Sequence, residues 1–145
     1  MNKSNGYGST QKLKSRKAME TLFAAGKTLN AFPIKVFYTL DPVTQNITQT
    51  VAQIGASANL LHAGVGVSSR NFKKAVDRNR IKRLLREVYR TQNQLLVTTV
   101  LLQAKELNVF FLYVGKELPE YTDLKIAMEK VLAKLNDRII EISKQ

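Results

Sequence analysis

FKKAVDRNRIKRLLREVYR, residues 72–90, carries eight cationic side chains in nineteen positions. Projected on a helix at about 100° per residue, Ile81, Leu84, Leu85 and Val88, with Tyr89 beside them, fall within one arc. Asn79, Lys82, Arg83, Arg86 and Arg90 fall on another. The segment therefore reads as an amphipathic helix, with an apolar stripe that packs on a sheet and a cationic row turned away from it. Arg78 lies near the edge of the apolar arc, where its stem can be covered while its guanidinium reaches out.

Many charge runs are no more than a solvated helix face. Such faces usually interleave Glu with Lys to gain i,i+4 pairs, and here only Glu87 lies between Arg78 and Arg90. Over the same span Arg outnumbers Lys by five to one. The planar arginine fork fits phosphate oxygens in two-point contacts and stacks on bases. The whole chain has 23 Lys plus Arg against 11 Asp plus Glu, a net charge of +12. Nine basic and two acidic residues between Arg70 and Arg90 supply +7 of it, leaving +5 for the remaining 124 residues. A surface for a polyanion explains this concentration better than solubility does.

Strand patterns flank the helix. HAGVGVS (62–68) precedes it, with Gly64 and Gly66 where another group approaches the backbone closely. Ser69 or Asn71 is the expected N-cap. LNVFFLYVG (107–115) is a near-continuous apolar run and predicts a central strand buried on both faces. Farther out, Met19, Leu22 and Phe23 mark a helix from Lys14 to Gly26. FPIKVFYTL (32–40) is a strand with Ile34, Val36 and Tyr38 on one face and Lys35 and Phe37 on the other, closed by a turn at Pro42 and Asn46. Pro119 and Thr122 open a last helix, whose Leu124, Met128, Val131, Leu132, Leu135 and Ile139 form an apolar stripe. Residues 1–11 read as a flexible polar arm and 12–145 as one domain. The stretch from 47 to 60 has no clear period.

With no cysteine, disulfides and thiolate metal sites are excluded. The polar start lacks the apolar core of a signal peptide, and no apolar run approaches the roughly 20 residues that span a bilayer. A soluble, cytoplasmic protein is expected. No His, Asp or Glu cluster has metal-ligand spacing, and the single histidine, His62, reads as structural. A lone basic helix without a helix-turn-helix partner or dimerising heptad argues against the DNA major groove. A helix-and-sheet platform with aromatics for unpaired bases points to RNA.

Phe72, Ala75, Arg78-Asn79-Arg80, Ile81, Lys82-Arg83, Leu85 and Arg86 together resemble, without mismatch, the signature of the protein component of bacterial ribonuclease P. AGVGVS resembles the strand that precedes it in that family, and LKSRKAMETLFAAG resembles the family's basic N-terminal helix. The resemblance spans residues 12 to 138. It implies an α+β two-layer sandwich of order helix, three strands, helix, strand, helix, similar to domain IV of elongation factor G, with a left-handed βαβ crossover. It also implies that a catalytic RNA subunit, with Mg²⁺ bound mainly by RNA, removes the 5′ leader of precursor tRNA, and that no side chain of this chain is catalytic. The implied RNA-subunit contacts are Lys74, Arg78, Asn79, Arg80, Lys82, Arg83, Arg86 and Arg90. The implied leader cleft holds Met19, Phe23, Val36 and Tyr38, with Met19 at a position commonly Phe, and the stretch from Gln45 to Leu60 is longer than usual in the family. A stand-alone RNA-binding module of the same fold is the alternative reading. A membrane-binding amphipathic segment fits less well, because the sheet needs the apolar face of the helix.

Overall fold

The computed structural model describes residues 20, 22–24, 26–42, 61–103 and 105–143. Along the chain come β1 (Lys27–Ala31), β2 (Ile34–Pro42), β3 (Leu61–Val67), α1 (Ala75–Arg90), α2 (Gln94–Gln103), β4 (Lys105–Tyr113) and α3 (Tyr121–Ser143). Residues 20 and 22–24 are also helical, near the end of the helix expected to stop at Gly26. The strands form one mixed sheet in the order β1-β2-β4-β3. β1 with β2 and β2 with β4 are antiparallel, and β3 with β4 is parallel. A parallel neighbour requires a crossover, which α1 and α2 supply. The chain is thus α+β with a mixed four-stranded sheet.

Strand alternation decides which side of the sheet is closed. Ile34, Val36 and Tyr38 of β2 share one face with Leu107, Val109 and Phe111 of β4 and Leu61 and Ala63 of β3, and all are buried. On this face lie Ile81, Leu85, Val88 and Tyr89 of α1 and the stripe Leu124, Met128, Val131, Leu132, Leu135 and Ile139 of α3. Each apolar side chain fully buried here contributes about 1.5–3 kcal/mol relative to exposure. The period of the α1 and α3 stripes, read from the sequence, therefore finds its partner in one core. Leu85→Ala would strip α1 of a central anchor at a cost of about 2–5 kcal/mol.

Four features differ from expectation. β4 is not buried on both faces: Val109, Phe111 and Tyr113 are buried, while Asn108, Phe110 and Leu112 are half-exposed. α1, α2 and α3 close only the core side, and an antiparallel neighbour allows the other side to stay open. β1 is a strand with Leu29 as its one buried residue, so an edge position left almost no period to read. α2 lies between the basic helix and β4, where a strand was expected to follow directly. Its sequence QLLVTTVLLQ has no charge and no polar face, so nothing in it marks a helical period. Finally, α1 begins at Ala75, three residues later than the quoted segment, and neither Ser69 nor Asn71 caps it. The Asn71 amide instead donates to the carbonyls of Val114 and Gly115, at 3.3 and 3.2 Å, tying the approach to α1 onto the end of β4.

The turn between α1 and α2 is pinned to α3. Gln92 Nε2 donates to the carbonyl of Val88 at 3.1 Å and to that of Lys125 at 3.2 Å. Among the described residues no helix is long and apolar enough to cross a membrane. The expected arm at 1–11 and the stretch from 45 to 60 lie outside the described residues.

Candidate nucleic-acid interface

α1 presents one side of the candidate interface. With Ile81, Leu85, Val88 and Tyr89 buried, the opposite side follows from the helical repeat. Asn79, Arg80, Arg83 and Arg86 are exposed there, Lys74 is exposed at the N-cap, and Lys82 is half-buried. Among the described residues Arg80, Arg83 and Arg86 make no ion pair. They form a row of cations without local partners.

Two of the expected contacts are engaged within the protein. Arg78 Nη1 donates to the carbonyls of Phe72 and Lys73, both at 2.8 Å. Its guanidinium thereby holds the segment that leads into α1. Arg90 forms a two-point pair with Glu87, Nη2 to Oε2 at 2.7 Å and Nε to Oε1 at 3.3 Å. The hydrogen bond from Arg90 holds the Glu87 carboxyl below its ordinary range, and Glu87 in turn raises Arg90. The cationic row is therefore strongest at Arg80, Arg83 and Arg86 and weaker at its two ends.

The open face of the sheet presents a second surface. The register lays its side chains out in cross-strand rows. Lys35 of β2 stands beside Leu112 of β4 and Gly66 of β3. The next row is Phe37, Phe110 and Gly64, followed by Thr39, Asn108 and His62. Phe23, on the helical segment that precedes β1, closes over the aromatic row. Its ring centroid is 5.1 Å from Phe37 and 5.2 Å from Phe110, edge to face at 85° and 79°. Phe23 remains 49% exposed, so three rings form a platform that is packed together yet still accessible. Lys35 Nζ lies 5.3 Å from the centre of the Phe37 ring, within cation–π range. At Gly66 a Cβ would lie 2.5 Å from Cζ of Phe110, so a larger residue there would have to displace that ring. The close approach inferred from the glycines is that ring.

This layout corrects half of the expected cleft. Val36 and Tyr38 have no exposed surface and belong to the helix-covered core. Side chains alternate along a strand, so a shift of one position moves a residue to the opposite face. Phe37, not Tyr38, faces Phe23. Phe23 stands on the open face of the sheet, and Met19 is outside the described residues. Phe110 was hidden in a run read as wholly buried. Period-two alternation of that run against the known face of Phe37 was the signal that could have found it.

Where the parallel strands β3 and β4 end, an open pocket of about 770 Å³ is lined by Ser68, Ser69, Arg70, Asn71, Leu112 and Lys116. Leu112 makes it continuous with the Lys35 row. The loop that carries Lys116 is held by Tyr113, whose hydroxyl donates to the carbonyl of Glu117 at 2.6 Å. Burial raises the Tyr113 pKa above its ordinary value, and the charges of Glu117 and Asp123 add to the effect. Neither Arg70 nor Lys116 was singled out from the sequence as a contact. At the opposite end of the sheet face, His62 Nε2 is 3.2 Å from Glu106 Oε2. Among the described residues no three His, Cys, Asp or Glu side chains come together to hold a metal ion.

A cationic helix row and an aromatic sheet face on one chain are together suited to a nucleic acid with both paired and unpaired segments. Comparison with known proteins agrees. The family described as Ribonuclease P matches residues 8–136. The ribonuclease P protein component of Porphyromonas gingivalis is 31% identical over 132 residues, covering 90% of this chain and 86% of the relative. That of Chlorobium phaeobacteroides is 28% identical over 138 residues, covering 90% and 87%. The chain belongs to the ribonuclease P protein family.

Proposed function

We propose that the chain is the protein subunit of ribonuclease P and assists removal of the 5′ leader from precursor tRNA. In this reading Arg80, Arg83 and Arg86, with Asn79 and Lys82 beside them, contact the phosphates of the RNA subunit. Lys74 and Arg90 flank the row, and Arg78 acts chiefly by ordering the entry into α1. The aromatic row of Phe23, Phe37 and Phe110 stacks on unpaired bases of the leader, and the pocket at Arg70 and Lys116 takes a leader phosphate. The single observation that carries the reading is the family match, because it includes the basic signature and that signature lies on a helix with its cations outward.

Mg²⁺ belongs to the RNA subunit in this proposal, and no step is assigned to a metal held by this chain. The left-handed crossover, the likeness to domain IV of elongation factor G and the cytoplasmic location are parts of the same reading. Cleavage of precursor tRNA by a ribonuclease P RNA at low Mg²⁺, with and without the purified protein, tests it. Stimulation of 5′ maturation is expected. A protein that binds the RNA without stimulating cleavage would instead support a stand-alone RNA-binding role.

A further inference from the structure

We infer that Asn71 is the positioning residue of the phosphate pocket and holds Arg70 and Lys116 on the two sides of one leader phosphate. The inference rests on the leader-binding reading and extends it to the neutral residue that joins the two cations. Arg70 sits in the turn between β3 and α1, which closes where the Asn71 N–H donates to the Ser68 carbonyl at 3.2 Å. Lys116 sits in the loop after β4, and Asn71 reaches that loop with its side chain. The two hydrogens of Nδ2 serve the carbonyls of Val114 and Gly115, at 3.3 and 3.2 Å. One residue thus closes the turn that carries the first cation and grips the loop that carries the second. Both cations line the pocket together with Asn71 itself.

The loop is held at two further points. The Val114 N–H donates to the Pro33 carbonyl at 2.8 Å, and the Tyr113 hydroxyl donates to that of Glu117 at 2.6 Å. A Cβ at Gly115 would lie 2.5 Å from the Tyr113 hydroxyl, so a larger residue there would have to displace it. Arg70 and Lys116 are exposed and make no ion pair among the described residues. A long cationic side chain gives up rotamer freedom when it grips a ligand, and a moving backbone adds to that loss. Fixing both backbones in advance lowers the cost of the grip, so a neutral amide governs whether the two charges act on one phosphate.

The test uses the reconstituted holoenzyme and measures affinity for precursor and mature tRNA over a range of salt concentrations. The difference between the two log–log slopes isolates the leader, and each phosphate contact on a single strand contributes about 0.7 to it. Lys116→Ala should lower this difference by about 0.7, and Asn71→Ala should do the same although it removes no charge. The double variant should again lose about 0.7 rather than about 1.4, because both changes remove the same contact. Asn71→Ser, which suits a turn and has one donor on a shorter stem, should match Asn71→Ala, so that a folding defect in one variant does not decide the result. A difference unchanged in both Asn71 variants, or additive losses in the double variant, would overturn the role of Asn71 alone. A difference unchanged in Lys116→Ala, with precursor still bound more tightly than mature tRNA, would remove the phosphate from the pocket and the role of Asn71 with it. Equal wild-type affinity for the two tRNAs would overturn the leader-binding reading itself.

Discussion

The outer side of α1 and the open face of the sheet are built by opposite means. On α1 every functional side chain comes from one segment, and a helical projection sorts cations from core residues. On the sheet, Phe37, Phe110 and Gly66 come from three strands and meet through strand register, and Phe23 is laid over them from the helical segment before β1. The first surface is a row of charges suited to phosphates whatever their sequence, and the second is a shaped platform suited to unpaired bases. Local sequence determines charge display, whereas stacking geometry is a property of the assembled sheet.

Removing charge from α1 should give the largest effect. Arg83→Ala combined with Arg86→Ala is expected to weaken binding of the RNA subunit and to flatten its log–log salt dependence by about 1.8, or about 0.9 per lost phosphate contact. Titrations across a range of salt concentrations measure this. An unchanged slope would mean that the row is merely solvated.

Arg78 sharpens the contrast within the same helix. Arg78→Lys keeps the charge but removes Nη1, the one nitrogen that donates to the carbonyls of both Phe72 and Lys73. Denaturant unfolding should show a loss of about 1–3 kcal/mol, with the salt slope unchanged. A shallower slope at full stability would make Arg78 a phosphate contact after all.

The basic helix, the α3 stripe and the core face of β2 were legible because each repeats its own period over enough residues to define a face. Leu85 and Val88 on α1, and Leu135 and Ile139 on α3, are buried as that period requires. α2 was not legible, since a helix without charge has no polar side to contrast with its apolar one. β1 was not, since an edge strand with one buried residue carries no alternation. The cleft failed for a subtler reason. Family resemblance pointed to an aromatic on β2, and Phe37 and Tyr38 are adjacent aromatics on opposite faces. Only knowing which face the helices cover separates them. Arg78 likewise looked like its neighbours, because sequence does not reveal that two carbonyls engage it.

The smallest expected effect concerns Glu87. Its pairing with Arg90 removes one cation from the row at neutral pH. Glu87→Gln should free Arg90 and steepen the salt dependence by at most about 0.9. The sign with pH follows from the lowered Glu87 pKa: the pair is present at neutral pH and is lost as pH falls through that value. Wild type and Glu87→Gln should therefore converge only in acid, below the ordinary Glu value of about 4.3.

The division of labour between the two surfaces is tested most directly by affinity for precursor tRNA and mature tRNA, measured with holoenzymes that carry Phe37→Ala or Tyr38→Phe. Phe37→Ala is expected to weaken binding of the leader-bearing substrate by about 5- to 150-fold, from roughly 1–3 kcal/mol per stacked base, and to leave mature tRNA nearly unaffected. Tyr38→Phe, removing a buried hydroxyl that has no hydrogen-bond partner among the described residues, should change neither. A leader-specific loss with Tyr38→Phe, or equal losses for both substrates with Phe37→Ala, would contradict the assignment of the open sheet face to the leader.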